Sequence, residues 1–175
     1  MEIVDFVIFL PKREFYDFNL NKILDFLRKE SSINYKIIGL DRVALSLSAN
    51  IYTCDLNIEE AIKKSIYGKC LFIPGGKGTL EIINNYLAMS YLNAYNPLNH
   101  ILILEREALF IFIELKKLFS YSVSKLHNLD DEFFYKNQMI PIDEDIVIDN
   151  NVITSRRAIN DLWRFTIKCL KENNF

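Results

Sequence analysis

The fold is decided by the stretch Lys69-Cys70-Leu71-Phe72-Ile73-Pro74-Gly75-Gly76-Lys77-Gly78-Thr79-Leu80. Its apolar run stops at a Pro-Gly-Gly turn and a helix-like pattern follows, which predicts a buried strand, a tight turn and the start of a helix. Consecutive glycines allow the backbone to approach a ligand closely, and the N-terminus of a helix favours negative charge. The turn is therefore a candidate site for an anion or an oxyanion.

Strands and helices are predicted to alternate on both sides of this stretch. Nearly continuous apolar runs at residues 3–10 and 101–104 are typical of strands that are covered on both faces. The alternation predicts an α/β fold with a mostly parallel sheet and helices on both faces. Ligands bind at the carboxyl ends of the strands in such folds, so the corners after Leu10, Ile73 and Leu104 are the places where a site is expected.

The remaining elements follow from hydrophobic spacing and turn residues. Further strands are predicted at residues 35–40, 43–47, 51–53, 145–148 and 152–154, of which 43–47 and 51–53 form a small excursion from the sheet. Amphipathic spacing predicts helices over residues 15–27, 58–66, 80–91, 108–119 and 156–170. Either Asp17 or Asn19 could cap the first helix. Leu80, Ile83, Leu87 and Tyr91 are expected to form the inner stripe of the helix that follows the turn.

Composition limits the classes of function. A chain of 175 residues with 21 basic and 23 acidic side chains, mixed along the sequence, predicts a single domain over residues 1–175. It contains no basic run for nucleic acid or an anionic membrane surface, and no apolar segment long enough to span a bilayer. The N-terminus lacks the features of a signal peptide, so a cytoplasmic location is expected.

Common cofactor and metal motifs are not found. Cys54, Cys70 and Cys169 are too few and too scattered for a disulfide framework or a zinc site. A P-loop would need glycine in place of Leu71, and the dinucleotide fingerprint would need a third glycine in place of Glu81. The sequence therefore predicts neither a metal nor a cofactor.

Three separated blocks resemble the ThiJ/PfpI family of the class I glutamine amidotransferase-like superfamily. They are residues 51–61, residues 70–76 and residues 148–156, and the last block is similar to a strand-turn-strand typical of that family. Their order and spacing fit over essentially the whole chain. The resemblance implies a flavodoxin-like three-layer sandwich and frequent homodimers. It also implies relatives described as intracellular proteases or amidases, glyoxalases, deglycases and chaperones.

The resemblance also locates a nucleophile elbow. Active family members carry a cysteine at the end of the strand after Pro-Gly-Gly, usually followed by small residues. Here Glu105 stands in the position of the cysteine, and Arg106 and Glu107 replace the small residues. A thiolate at a helix N-terminus is an effective nucleophile, whereas a carboxylate attacks carbonyl groups poorly in water. The cysteine-dependent activity of the family is therefore predicted to be absent.

Other site residues are carried over from the same resemblance. The family's supporting acid aligns with Asp17 or, as the alternative, Glu14, and its histidine aligns with His127. The N–H groups of Gly76 and Arg106 would hold an oxyanion. Arg157 lies in a block that departs from the family's Gly-Pro-Gly, so the pocket wall is altered. The predicted catalytic residues are Glu105, Asp17 and His127, and the predicted ligand-binding residues are Gly75, Gly76, Arg106 and Glu14.

Two functions are compatible with these residues. The first is a weakly active or inactive ThiJ/PfpI-like protein that binds a ligand or a partner at the elbow pocket. The alternative is a small-molecule hydrolase or hydratase in which Asp17 and Glu105 act as acid and base, since two carboxylates at hydrogen-bonding distance cannot both be fully charged. A purely structural Glu105, which supplies the negative charge of the missing thiolate, is the interpretation that the sequence favours over the acid–base pair.

Overall fold

The computed structural model describes residues 2–172. In chain order its elements are β1 (Glu2–Leu10), β2 (Arg13–Phe15), α1 (Phe18–Leu27), β3 (Tyr35–Gly39), β4 (Val43–Ser46), β5 (Ile51–Thr53), β6 (Leu56–Asn57), α2 (Ile58–Lys63), β7 (Ile66–Ile73), α3 (Thr79–Ile83), α4 (Tyr86–Leu92), β8 (Ile101–Glu105), α5 (Leu109–Glu114), β9 (Ser122–Ser124), α6 (Asp131–Lys136), β10 (Ile140–Ile142), β11 (Ile146–Asp149), β12 (Val152–Ser155) and α7 (Leu162–Glu172). A short 3-10 turn, Arg106–Ala108, joins β8 to α5.

A seven-stranded sheet forms the centre of the molecule, in the order β11-β12-β8-β7-β1-β3-β6. Every neighbouring pair in it is parallel except β11 and β12, which are antiparallel. In the middle of the sheet Ile8 lies opposite Phe72, and Phe72 lies opposite Ile103. The carboxyl ends of β1, β7 and β8 therefore meet at one edge, as the sequence predicts.

Helices cover both faces of this sheet and bury two separate cores. The residues of β1 alternate between them, with Val7 and Phe9 in the core under α2, α4, α5 and α6, and Phe6 and Ile8 in the core under α1 and α7. Alternation of side chains along a strand has this result only when both faces are covered. The predicted three-layer α/β sandwich of flavodoxin type is thus confirmed.

Two smaller sheets lie outside the main one. Strands β2, β4 and β5 form a three-stranded sheet, which confirms the excursion predicted from residues 43–47 and 51–53. Strands β9 and β10 pair with each other, and α6 lies between them in the sequence. The sequence did not predict β9, β10 or α6, because this part of the chain is polar and its strands have only three residues each.

The helix predicted after the glycine turn is in fact two helices, α3 and α4. They are separated at Asn84 and Asn85, and the side chain of Asn85 caps α4 by accepting the backbone N–H of Ala88 at 3.0 Å. The break changes which side chains face inward, because Leu80 is 61% exposed whereas Tyr91 is buried. Leu80 and, at 38% exposure, Leu87 therefore do not belong to the predicted inner stripe.

Four other helices are shorter than predicted. Helix α1 begins only at Phe18, because Phe15 belongs to β2. Helix α2 ends at Lys63, so that the chain can enter β7 at Ile66, and α5 ends at Glu114. Helix α7 begins only at Leu162, and Ile159, expected in the core, is 73% exposed. Within residues 2–172, no helix is long and apolar enough to cross a lipid bilayer.

Candidate functional site

The candidate site lies where β7 and β8 end beside the segment that follows β1. The turn after β7 is packed tightly against residues 13–16, since the N–H of Tyr16 donates to the carbonyl of Gly75 at 2.9 Å and the N–H of Gly78 donates to that of Glu14 at 3.2 Å. Gly76 has a φ of +129°, and a Cβ atom there would collide with the Glu14 carbonyl. Gly76 is therefore required by contact with the chain itself.

Glu105 is fully buried at the end of β8 and is held by two donors. The side-chain amide of Asn19 donates to its Oε1 at 2.6 Å, and the N–H of Gly75 donates to its Oε2 at 3.0 Å. Burial raises the pKa of Glu105 to about 8, although both hydrogen bonds oppose that effect. A side chain with no exposed surface cannot touch a substrate, so this carboxyl group acts on the local structure.

Asn19 connects this corner to the segment that precedes α7. Besides Glu105, its amide nitrogen contacts the carbonyl of Ala158 at 3.0 Å and Oδ1 of Asn160 at 3.1 Å, and its Oδ1 accepts the N–H of Trp163 at 3.3 Å. The sequence suggested Asn19 only as a helix cap, and the N-cap of α1 is Asp17. The signal that could have identified it is a polar side chain one helical turn before Ile23, on the buried face of α1.

Arg106 forms the apex of the corner. Its φ is +49°, in the left-handed region, whereas Glu105 is still extended with φ −90° and ψ 121°. Nucleophile elbows place their reactive residue on such a strained strand-to-helix turn. The left-handed backbone position at this corner is therefore Arg106, one residue beyond Glu105. Neither residue is a thiol, and Cys70, fully buried inside β7, has a pKa raised well above its ordinary value by burial.

The predicted oxyanion donor Gly76 is occupied from within the chain. Its N–H donates to Oε2 of Glu107 at 2.9 Å, while Oε1 of the same carboxylate accepts Nη2 of Arg106 at 2.9 Å. Since Glu105 takes the N–H of Gly75, both N–H groups of the Gly-Gly pair are bonded to the carboxyl groups of Glu105 and Glu107.

Arg106 is oriented by an aromatic ring as well as by Glu107. Its guanidinium carbon lies 4.9 Å from the centroid of the Tyr16 ring, a cation–π contact. Within residues 2–172 the buried Nε atom of Arg106 has no hydrogen-bond partner. The guanidinium is therefore held in one orientation while its buried Nε–H donor is unused.

Asp17 lies in a different hydrogen-bond network from Glu105. Its carboxylate accepts bonds from four side chains at 2.7 to 2.9 Å, namely Ser46, Ser48, Asn50 and Tyr52. Burial raises the pKa of Asp17, but these bonds outweigh burial and hold it below its ordinary value. Asp17 thus anchors the loop between β4 and β5, and no hydrogen bond joins it to Glu105 among the described residues. The side chain of Glu14, the alternative acid, is exposed.

His127 does lie near the elbow. It borders a cleft of about 400 Å³ whose lining is Arg106, Glu107, Leu126, His127, Asn128, Arg156 and Arg157. Arg156 pairs with Asp143 and, at 2.7 Å, with Asp145, and Nε of Arg157 lies 3.1 Å from Asp145. Three of the seven residues that line the cleft are arginines. Among the described residues no group of three or more His, Cys, Asp or Glu side chains could hold a metal ion.

The same fold occurs in solved proteins of the DJ-1/ThiJ/PfpI class, which confirms the predicted resemblance at the level of structure. A two-domain protein from Anabaena variabilis with DJ-1/ThiJ/PfpI-like and ferritin-like domains gives a TM-score of 0.81 at 18% identity, over 98% of this chain and 48% of that protein. A ThiJ/PfpI domain protein from Brachyspira murdochii gives 0.79 at 14% identity, over 99% of this chain and 98% of that one. Drosophila melanogaster DJ-1beta gives 0.74 at 17% identity, over 98% and 90%. No protein-family model matches the sequence, and no curated protein matches it by sequence.

Proposed function

We propose that this protein is a divergent ThiJ/PfpI-like protein that binds a small molecule in the cleft beside the elbow and lacks the thiol catalysis of the family it resembles. The observation that carries the proposal is that the backbone donors at the end of β7 are already bonded within the chain. Both N–H groups of the Gly-Gly pair are bonded to Glu105 and Glu107, and the elbow itself is Arg106. An oxyanion of a substrate would have to displace one of these carboxyl groups before it could be stabilised.

The size and lining of the cleft favour the binding of a small molecule over catalysis. Its volume of about 400 Å³ falls in the range of small-molecule sites, and its lining offers charged and amide donors from three separate segments. The alternative of an acid–base pair has no comparable support, because Asp17 and Glu105 bond to different partners and Glu105 is fully buried.

The proposal is tested by activity and by binding. Purified protein should show no turnover above buffer in glyoxalase, deglycase and amidase assays. Turnover above buffer in any of these assays would overturn the proposal.

Binding is tested by a thermal-shift screen with a panel of small polar molecules, in which saturable stabilisation is expected. Arg157→Ala should weaken that stabilisation. Arg164→Ala, which removes an exposed arginine outside the cleft lining, should leave it unchanged. Equal losses in the two variants would place the ligand elsewhere.

We also propose that two copies associate through the outer face of the three-stranded sheet. Four aliphatic side chains, between 45% and 71% exposed, lie on or beside this face, namely Val43, Leu45, Leu47 and Ile51. Leu45 lies directly opposite Ile51 in the sheet, so their side chains are adjacent. Contiguous apolar surface of this kind marks association sites, and the resemblance to a family with frequent dimers favours a second copy as the partner.

A cytoplasmic location stays a prediction from the sequence.

A further inference from the structure

The carboxylate of Glu107 indicates which ligand the elbow can take. It joins two donors that come from different elements, the N–H of Gly76 in the turn after β7 and Nη2 of Arg106 at the elbow, each at 2.9 Å. Its side chain is 28% exposed at the edge of the cleft, in contrast to Glu105, which is fully buried. Glu107 can therefore leave its position by side-chain rotation, without any change in the core.

Glu107 uses only part of what Arg106 offers. Nε and Nη2 form one edge of the guanidinium, and a carboxylate that approaches this edge freely bonds to both at once. Glu107 is tethered one residue away and gives one oxygen to Gly76, so it reaches Nη2 alone. Nε is left buried without a partner among the described residues, and the ring of Tyr16 keeps the guanidinium in place.

We infer that Glu107 is an internal plug for a carboxylate-binding site, and that a small carboxylic acid displaces it to occupy Arg106 and the N–H of Gly76. The inference rests on the proposed function and adds the class of ligand and its competition with a residue of the chain. A free carboxylate can pair with both Nε and Nη2, a geometry closed to the tethered side chain. The rest of the ligand would lie among Asn128, His127 and Arg157 in the cleft.

The test is a titration of isotope-labelled protein with sodium acetate, with sodium chloride at equal ionic strength as the reference. The signals to follow are the backbone N–H of Gly76 and the Nε–H of Arg106. Acetate should shift both in a saturable manner, whereas chloride should not. In Glu107→Ala the dissociation constant for acetate should fall by about tenfold or more, because a charge-assisted hydrogen bond no longer competes.

Two further variants separate this mechanism from simple electrostatics and from misfolding. Glu59→Ala removes one negative charge from an exposed position in α2, and its affinity for acetate should equal that of the wild type. Glu107→Gln keeps an acceptor for the N–H of Gly76 and should show an intermediate affinity, so it tests the same competition if the alanine variant does not fold.

Three results would overturn the inference. The first is that neither the wild type nor Glu107→Ala binds acetate saturably. The second is that these two proteins bind acetate with equal affinity. The third is that Glu59→Ala raises the affinity for acetate as much as Glu107→Ala does. A neutral ligand found by the thermal-shift screen would then leave the proposed function intact while the carboxylate class is rejected. Turnover in the enzyme assays would reject the proposed function itself, independently of any acetate binding.

Discussion

Replacing Glu105 with glutamine is expected to remove a pH dependence from the stability of this protein. The carboxyl group is fully buried, and burial raises its pKa from 4.5 to about 8. The folded chain therefore keeps a proton that the unfolded chain releases near pH 4.5. As a result, the free energy of unfolding falls as the pH rises between these two values and levels off above the higher one.

The size of the effect follows from the two pKa values. Each unit between them corresponds to about 1.4 kcal/mol, so Glu105 should remove about 3 kcal/mol of unfolding free energy between about pH 5.5 and about pH 8.5. Glutamine does not titrate, so Glu105→Gln should lose none of this unfolding free energy over the same pH range. Glutamine should also lower the free energy of unfolding by at most about 1 to 3 kcal/mol, because its NH₂ group faces a donor, either Asn19 or the N–H of Gly75. Below about pH 8 the O–H of the protonated wild-type carboxyl group faces the same donors.

The measurement is urea unfolding across this pH range, followed by the fluorescence of Trp163, the one tryptophan of the chain. Asp17 does not interfere, because its pKa is held below its ordinary value and it titrates at lower pH. Glu59→Gln, at an exposed position, controls for the loss of one carboxylate. If the stability of wild type and Glu105→Gln changed in parallel with pH, Glu105 would titrate alike in the folded and unfolded chains, and the reasoning would be refuted.

Three other substitutions test separate parts of the structure. Asn19→Ala should lower the free energy of unfolding by about 2 to 4 kcal/mol in urea, because it removes a donor from buried Glu105; a loss below about 0.5 kcal/mol would contradict this role. Gly76→Ala should lower the free energy of unfolding by about 2 kcal/mol or more in the same assay, because its φ of +129° and the nearby Glu14 carbonyl leave no room for a methyl group. Lys77→Ala, at the neighbouring exposed position, should lower it little. Ile51→Asp should convert a dimer to a monomer in light scattering, and a wild-type protein that is monomeric at high concentration would remove the proposed interface.

The main sheet could be predicted from the sequence because its central strands are nearly continuous apolar runs. Residues 3–10 and 101–104 have no polar face to turn to solvent, which is the condition of a strand between two helical layers. The helix ends could not be predicted in the same way. The break between α3 and α4 depends on the cap by Asn85, and asparagine competes with the helix only where its neighbours allow the alternative bond.

The contents of the candidate site were less predictable than its location. The family resemblance of the motif places Glu105 at the elbow, but the left-handed backbone belongs to Arg106. A shift of one residue at the end of a strand has no signature in the residues themselves. The bond between Glu107 and Gly76 joins residues 31 positions apart and depends on a side-chain rotamer. Such contacts are tertiary, so neither propensity nor spacing specifies them.

The sequence of the Pro-Gly-Gly turn predicts a ligand site, yet the structure explains its glycines without a ligand. Gly76 is required by the approach of Glu14, and the N–H groups of Gly75 and Gly76 are bonded to the carboxyl groups of Glu105 and Glu107. Among the buried side-chain polar atoms of residues 2–172, Nε of Arg106 and Oγ1 of Thr79 have no hydrogen-bond partner, and of these two residues only Arg106 lines the cleft. A buried donor without a partner carries a cost, and at the edge of a cleft that cost would be relieved by a bound acceptor. We therefore expect the ligand to bind at Arg106, while the glycine turn holds the surrounding backbone in place.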